Sequence, residues 1–182
     1  VLFPSFFSGI SIIWDREFGF LREVLVAPCS RSAIAIGKTL GGASIGTIQG
    51  IILLVLAPIA GVPLTIGMVV RVIPILFLLA VALASVGIVC AARMKSMEGF
   101  QMIMNFVVMP IFFLSGALFP LKGVPPWLGV LTHLDPLTYG VDALRWAVLA
   151  EHQFPLALDL GIIGAFSALM MILGAFQLSR SD

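Results

Sequence analysis

Trp14-Asp15-Arg16-Glu17-Phe18-Gly19-Phe20-Leu21-Arg22-Glu23 is a charged island between two long apolar runs. It places two basic and three acidic side chains within ten residues, so it belongs in water or against a protein. On a helix, Trp14, Phe18, Leu21 and Leu25 recur at i, i+4, i+7 and i+11 and form one apolar stripe, while Arg16 and Glu23 fall on the opposite face. Such a helix, set between membrane spans, either rests on the membrane surface or fills a groove on another protein. Its mixed signs argue against simple attraction to anionic lipid, which favours net positive charge.

Outward from the island the chain has the composition of a membrane protein. Hydrophobic residues make up 60% and charged residues 10%, with a mean hydropathy of +1.17, against roughly 45–50% apolar and 25% charged in soluble domains. That excludes a soluble fold. The net charge of +1 forms no basic patch, so nothing points to nucleic acid.

Crossing about 30 Å of hydrocarbon takes roughly 20 helical residues, which predicts four complete spans at 34–58, 70–92, 98–119 and 156–178. Residues 1–13 are apolar but too short to cross alone, and they lack the basic region and cleavage site of a signal peptide. Because the chain begins with Val, we expect a truncated N-terminal span and a fragment of a longer protein. With the island in the cytoplasm, Arg16, Arg22, Arg31, Lys38, Arg93, Lys95 and Arg180 lie on or near that side, and Arg71, Lys122 and Arg145 lie outside. The excess of basic residues inside favours this orientation. Cys29 and Cys90 then sit toward the reducing cytoplasm, where a structural disulfide is not expected.

Between the last two spans, Pro120 and Pro125-Pro126 break helix, and Trp127, Leu128, Leu131 and Leu134 then recur at helical spacing until Asp135-Pro136. A second short helix is predicted from about Leu137 to Ala150. Trp127, Tyr139 and Trp146 suit the headgroup level. The pair reads as an extracytoplasmic re-entrant or surface-lying helical hairpin, not a water-soluble domain.

Two catalytic spellings have bland explanations. Gly37-Lys38-Thr39 matches the tail of a phosphate-binding loop, but the first glycine of that pattern is replaced by Ser32. Gly42-Ala43-Ser44-Ile45-Gly46 spells a nucleophile elbow inside an apolar helix with no strand before it. Gly42, Gly46 and Gly50, four apart, instead make a flat strip for close helix packing. Glu98, Gln101 and Asn105, continued by Met109 and Phe112, share one stripe of the span 98–119. Asn105 lies about 10 Å along the helix from Glu98, a depth at which amides face protein or a water-filled cavity. The stripe either lines a pathway or subunit interface, or hydrogen-bonds to other helices within one subunit. Asp142 and Arg145, at i and i+3, are expected to form a local helical pair. His133 and His152 have no acidic or cysteine neighbours at metal-ligand spacing, so no metal site is expected.

Three separated motifs resemble one family, the membrane subunit of the ABC-2 transporters, the type II ABC exporters of drugs, polysaccharides and lipids. They are Asp15-Arg16-Glu17-Phe18-Gly19-Phe20-Leu21 with Val26-Ala27-Pro28 and Gly37-Lys38; Phe113-Leu114-Ser115-Gly116 with Phe119-Pro120; and Asp135-Pro136-Leu137-Thr138-Tyr139-Gly140-Val141-Asp142-Ala143-Leu144-Arg145. The resemblance covers essentially the whole chain and implies an all-α polytopic membrane helix bundle. Residues 1–182 would then form an N-terminally truncated ABC-2 transmembrane domain, running from the second half of span two through span six of a six-span unit.

The resemblance further implies that Trp14, Asp15, Arg16, Glu17, Phe18, Gly19, Leu21, Arg22, Glu23 and Leu25 form a coupling helix. That helix docks on a separate ATPase subunit, which holds the ATP and Mg. This chain is implied to be non-catalytic and to bind no cofactor itself. Two permease units, alike or different, would form the pathway at their interface in the plasma membrane, as in a bacterial inner membrane, among its lipids. The exported molecule would be an amphipathic drug, a lipid or a glycan. The alternative is a proton-coupled secondary carrier using Glu98, which requires an intramembrane charge.

Overall fold

A computed structural model describes residues 1–18, 31–94, 96–118, 125–151 and 153–180. Among the described residues all long regular structure is helical. The order is α1 (Leu2–Phe7), α2 (Ile10–Glu17), α3 (Arg31–Val55), a 3-10 turn (Ala57–Ala60), α4 (Ile66–Arg93), α5 (Met97–Leu114), α6 (Pro126–Leu134), α7 (Pro136–Leu149) and α8 (Leu156–Arg180). Four helical stretches are long and apolar enough to cross a membrane: Ser32–Ile59, Ile66–Arg93, Met97–Leu114 and Leu156–Leu178. A shorter apolar helical stretch, Leu2–Asp15, precedes them.

Local chemistry explains where these boundaries differ from the hydropathy reading. The first long helix stops at Val55 because Pro58 follows; the chain tightens into the 3-10 turn and leaves through Gly61 at φ 82°. The third ends at Leu114, short of residue 119. There the Ser115 hydroxyl turns back to donate to the Phe112 carbonyl at 2.8 Å, and Gly116 takes a left-handed φ of 73°. Conversely, α4 begins at Ile66, after the extended Thr65, and so starts four residues before the span predicted from hydropathy at 70–92.

The core is organised around α4. Its most apolar stretch is 67% buried, against 17% for those of α5 and α8 and 28% for that of α3, so α4 is the hub and the others present wide outward faces. Helices α3, α8, α7, α1 and α2 all pack on it. Helices α3 and α4 run antiparallel: Gly42 lies beside Ala84, and Gly50 beside Leu76. One core cluster gathers Phe6, Ile12, Ile13, Leu83, Ile88, Phe100 and Met104, joining the N-terminal helices to α4 and α5. Another joins Met68, Val72, Ile75 and Leu76 to Ala143 and Ala147 of α7.

Candidate coupling helix and pathway face

The apolar N-terminal run is helical in two parts, α1 and α2, and the break at Ser8-Gly9 has a packing cause. A Cβ on Gly9 would strike the Gly87 carbonyl, and one on Gly87 would strike the Phe6 carbonyl. Backbone therefore meets backbone where this segment crosses α4, an approach only glycine permits. The glycines of α3 flank the same segment from its other side. A Cβ on Gly42 would strike Ser8 and one on Gly46 would strike Ser5, while one on Gly50 would stand 2.8 Å from Val1 Cγ2. The N-terminal run is thus wedged between α3 and α4.

The island grows directly out of this wedge. Trp14 to Glu17 are the last turn of α2, which starts at Ile10, instead of opening a helix of their own. Trp14 is half exposed and Phe18 is 82% exposed, leaving two large apolar side chains unpacked at the helix end. Asp15 does not face open water alone. Its carboxylate meets Lys38 Nζ of α3 at 2.6 Å, both side chains being mostly buried. The same ammonium donates to Ser11 Oγ at 3.1 Å. Gly19, Leu21, Arg22, Glu23 and Leu25 lie outside the described residues, as does the Arg16 side chain.

Lys38 is therefore a tether, and its neighbours show no phosphate-loop geometry. Thr39 Oγ1 donates to the Ala35 carbonyl at 2.9 Å, and Ser44 Oγ donates to the Leu40 carbonyl at 2.8 Å, both within the continuous helix α3.

Helix α5 is capped by Ser96, whose hydroxyl accepts from the Gly99 amide at 3.3 Å. It buries Phe100, Met104 and Val108 against the bundle. Glu98, Gln101, Asn105 and Met109 lie on an exposed flank beside that arc, with Phe112 partly buried. Met102, Phe106 and Phe113 extend the exposed surface. Among the described residues, neither Gln101 nor Asn105 hydrogen-bonds to another helix of this chain. What the flank offers is an apolar surface holding two amides that, among the described residues, bond to no other helix.

The motif 135–145 makes long-range clamps. Asp142 and Arg145 do not pair with each other. The Asp142 carboxylate accepts from the Gln153 amide at 2.8 Å and the Phe154 amide at 2.9 Å, securing the approach to α8. Arg145 donates to the Gly116 carbonyl at 3.1 Å, and Tyr139 donates to the His133 carbonyl at 2.9 Å. A carboxylate facing bare amides gains more from them than from an exposed ion pair on its own helix. His133 packs edge-on to Phe154 at 5.3 Å, and no metal-binding cluster occurs among the described residues. The His152 side chain lies outside them.

Two buried acids went unweighed in the sequence reading. Asp159, in the first turn of α8, is fully buried, and neither carboxylate oxygen has a partner among the described residues. Its signal was a lone acid at the head of an apolar run. Asp135 lies between the third and fourth candidate spans, outside both. It is 5% exposed, its Oδ1 accepts from the Leu137 amide at 2.9 Å, and its Oδ2 has no hydrogen-bond partner among the described residues. Burial pushes this carboxyl up to about 6, against the opposing pull of the Leu137 amide and the nearby Thr138 hydroxyl. That hydroxyl donates, at a long 3.5 Å, to the Leu114 carbonyl.

Comparison with known proteins places this arrangement in context. The family model for the ABC-2 type transporter matches residues 1–149. The putative transport permease ycf38 of Porphyra purpurea is 31% identical over 157 residues, covering 80% of this chain and 52% of the relative. The inner membrane transport permease YadH of Escherichia coli K12 is 28% identical over 146 residues, covering 80% and 57%. Nodulation protein J of Neorhizobium galegae is 31% identical over 109 residues, covering 60% and 42%. The chain spans about half the length of the curated relatives it matches.

Proposed function

We propose a function from one premise: the chain belongs to the ABC-2 type transporter family. It is a transmembrane permease component of that family, non-catalytic, with several membrane spans. In our reading it moves an amphipathic drug, lipid or glycan outward, powered by ATP hydrolysis on a partner subunit that holds the nucleotide and Mg. The island faces the cytoplasm and docks on that ATPase through Trp14, Phe18 and Leu21. A second permease unit meets the α5 flank, and the complex sits in a plasma membrane, as the word inner membrane in the name of the Escherichia coli relative suggests.

The observation that carries this reading is the continuity of α2 from wedge to island. A push on Trp14 and Phe18 enters α2, which packs on α4, follows directly on the segment wedged between α3 and α4 up to Gly9, and is pinned to α3 through Asp15 and Lys38. Movement of the docked partner is thereby delivered to two spans at once. What weighs against the proton-coupled carrier is Glu98, which lies in the first turn of α5, at the very end of that candidate span and not in its interior.

The test is replacement of Phe18 and Leu21 together by Ala in the full-length permease co-expressed with its ATPase. We expect membrane insertion to persist while co-purification of the ATPase and export both fall. Full export by the double variant would sink the docking role.

A further inference from the structure

We propose that the apolar cavity beneath the junction of α6 and α7 binds a lipophilic monocation, an aromatic or aliphatic body carrying one positive charge, with Asp135 as its counter-ion. The cavity, open on one side, offers about 310 Å³, within the range of roughly 300–1,000 Å³ that accommodates small organic ligands. Its wall draws on α4 through Leu79 and Leu83, on α5 through Ile111, on α6 through Leu131 and on α8 through Phe166. Among the described residues, Asp135 is the one polar residue in that wall.

The carboxylate is what singles out the ligand. Asp135 caps α7 with Oδ1, and an asparagine would cap it equally well without placing a charge in an apolar site. The acid is present nonetheless, with Oδ2 buried and, among the described residues, without a hydrogen-bond partner. A neutral hydrocarbon would fill the volume and leave that oxygen unpaired. An anion would be repelled. A cation with an apolar body satisfies the wall and sits beside the charge, in a low-dielectric setting where such an attraction is strong. Burial raises the proton affinity of Asp135, the mark of a carboxylate held in apolar surroundings.

None of Glu98, Gln101, Asn105, Met109 or Phe112 lines the cavity, so the site is separate from the α5 flank. Binding there requires neither the ATPase nor transport. The inference therefore stands or falls independently of the docking role proposed for the island.

The probe is ethidium, a flat aromatic cation of fixed charge, titrated by fluorescence into the detergent-solubilised full-length permease without its ATPase. We expect saturable binding that Asp135→Asn weakens at least tenfold while helix content, by circular dichroism, is unchanged. Ala82→Leu, which fills the cavity and keeps the charge, should weaken ethidium comparably. Pyrene, neutral and also polycyclic, should lose affinity only in Ala82→Leu. Absence of saturable ethidium binding to the folded wild-type protein overturns the proposal, and so does Asp135→Asn binding ethidium within twofold of wild type. Using two variants keeps the test decisive, because one alters charge at constant shape and the other alters shape at constant charge.

Discussion

The Asp15 carboxylate and the Lys38 ammonium meet at 2.6 Å, joining the end of α2 to α3 across twenty-three positions of sequence. Exposed pairs contribute roughly 0–1 kcal/mol. This one is mostly buried, and its ammonium also donates to Ser11. We therefore expect a coupling energy of about 1 kcal/mol from a double-mutant cycle of Asp15→Asn and Lys38→Met, read as thermal stability of the purified permease. The single changes should leave the ATPase bound, because the docking side chains are untouched, yet reduce export. A cycle giving zero coupling would mean that the pair is incidental and that the island is held by the glycine contacts alone.

The Asp142 clamp should be worth more. Asp142→Ala removes a buried acceptor from the Gln153 and Phe154 amides, and hydrogen bonds to charged groups contribute about 1.5–3 kcal/mol each. A loss of roughly 3 kcal/mol, seen as a fall of about 6–12 °C in the thermal midpoint, is expected. Asp142→Asn should recover part of it. Arg145→Lys tests the other clamp, since Lys cannot keep the guanidinium geometry that reaches the Gly116 carbonyl. If Asp142→Ala unfolds at the wild-type temperature, the approach to α8 is held by packing of Phe154 on Tyr139 and His133 instead.

These residues show what the sequence carried and what it withheld. The spans were legible because hydropathy over twenty residues is a one-dimensional signal, and their ends were misplaced only where a local device intervened, such as Ser115 and Gly116 stopping α5. The strip of Gly42, Gly46 and Gly50 was legible as a flat surface, but its neighbours, Ser8, Ser5 and Val1, are set by the crossing of Gly9 on Gly87. No spacing rule announces such a crossing. Asp142 and Arg145 misled for the same reason: their partners lie 11 and 29 positions away, and a spacing of three suggests only each other. The Asp135 cavity was invisible because four helices and a helix junction must assemble before it exists.

The Asp135 site should be pH-dependent in a fixed direction. Its carboxyl sits at about 6, so the fraction ionised rises as pH climbs through 6, and a permanently charged ligand prefers the ionised form. Ethidium affinity should be level above about pH 7 and weaken by about tenfold per pH unit below 6, in keeping with linkage to one proton. Among the described residues no other titratable side chain lines the cavity; His133, two residues away, is exposed and packs on Phe154. Asp135→Asn should bind weakly with no such slope. A slope that survives in this variant would assign the proton to another group.

The final prediction concerns the α5 flank. Asn105 and Gln101 are exposed beside Met102, Phe106 and Met109, and among the described residues neither amide is bonded to another helix. Lipid cannot satisfy those amides, and leaving one unpaired in hydrocarbon costs several kcal/mol. We therefore expect the flank to be covered by a second permease unit or by the exported molecule. Single cysteines placed at 98, 101, 105, 109 and 112, in a background lacking Cys29 and Cys90, should cross-link between subunits. Cysteines at Phe100, Met104 and Val108, which are buried within the chain, should not. Protection of the reactive positions by a transported molecule would assign the flank to the pathway, whereas cross-linking without protection would assign it to the subunit contact. Cross-links confined to 100, 104 and 108 would show that α5 turns its other side to its partner and that both amides find their bonds within a single subunit.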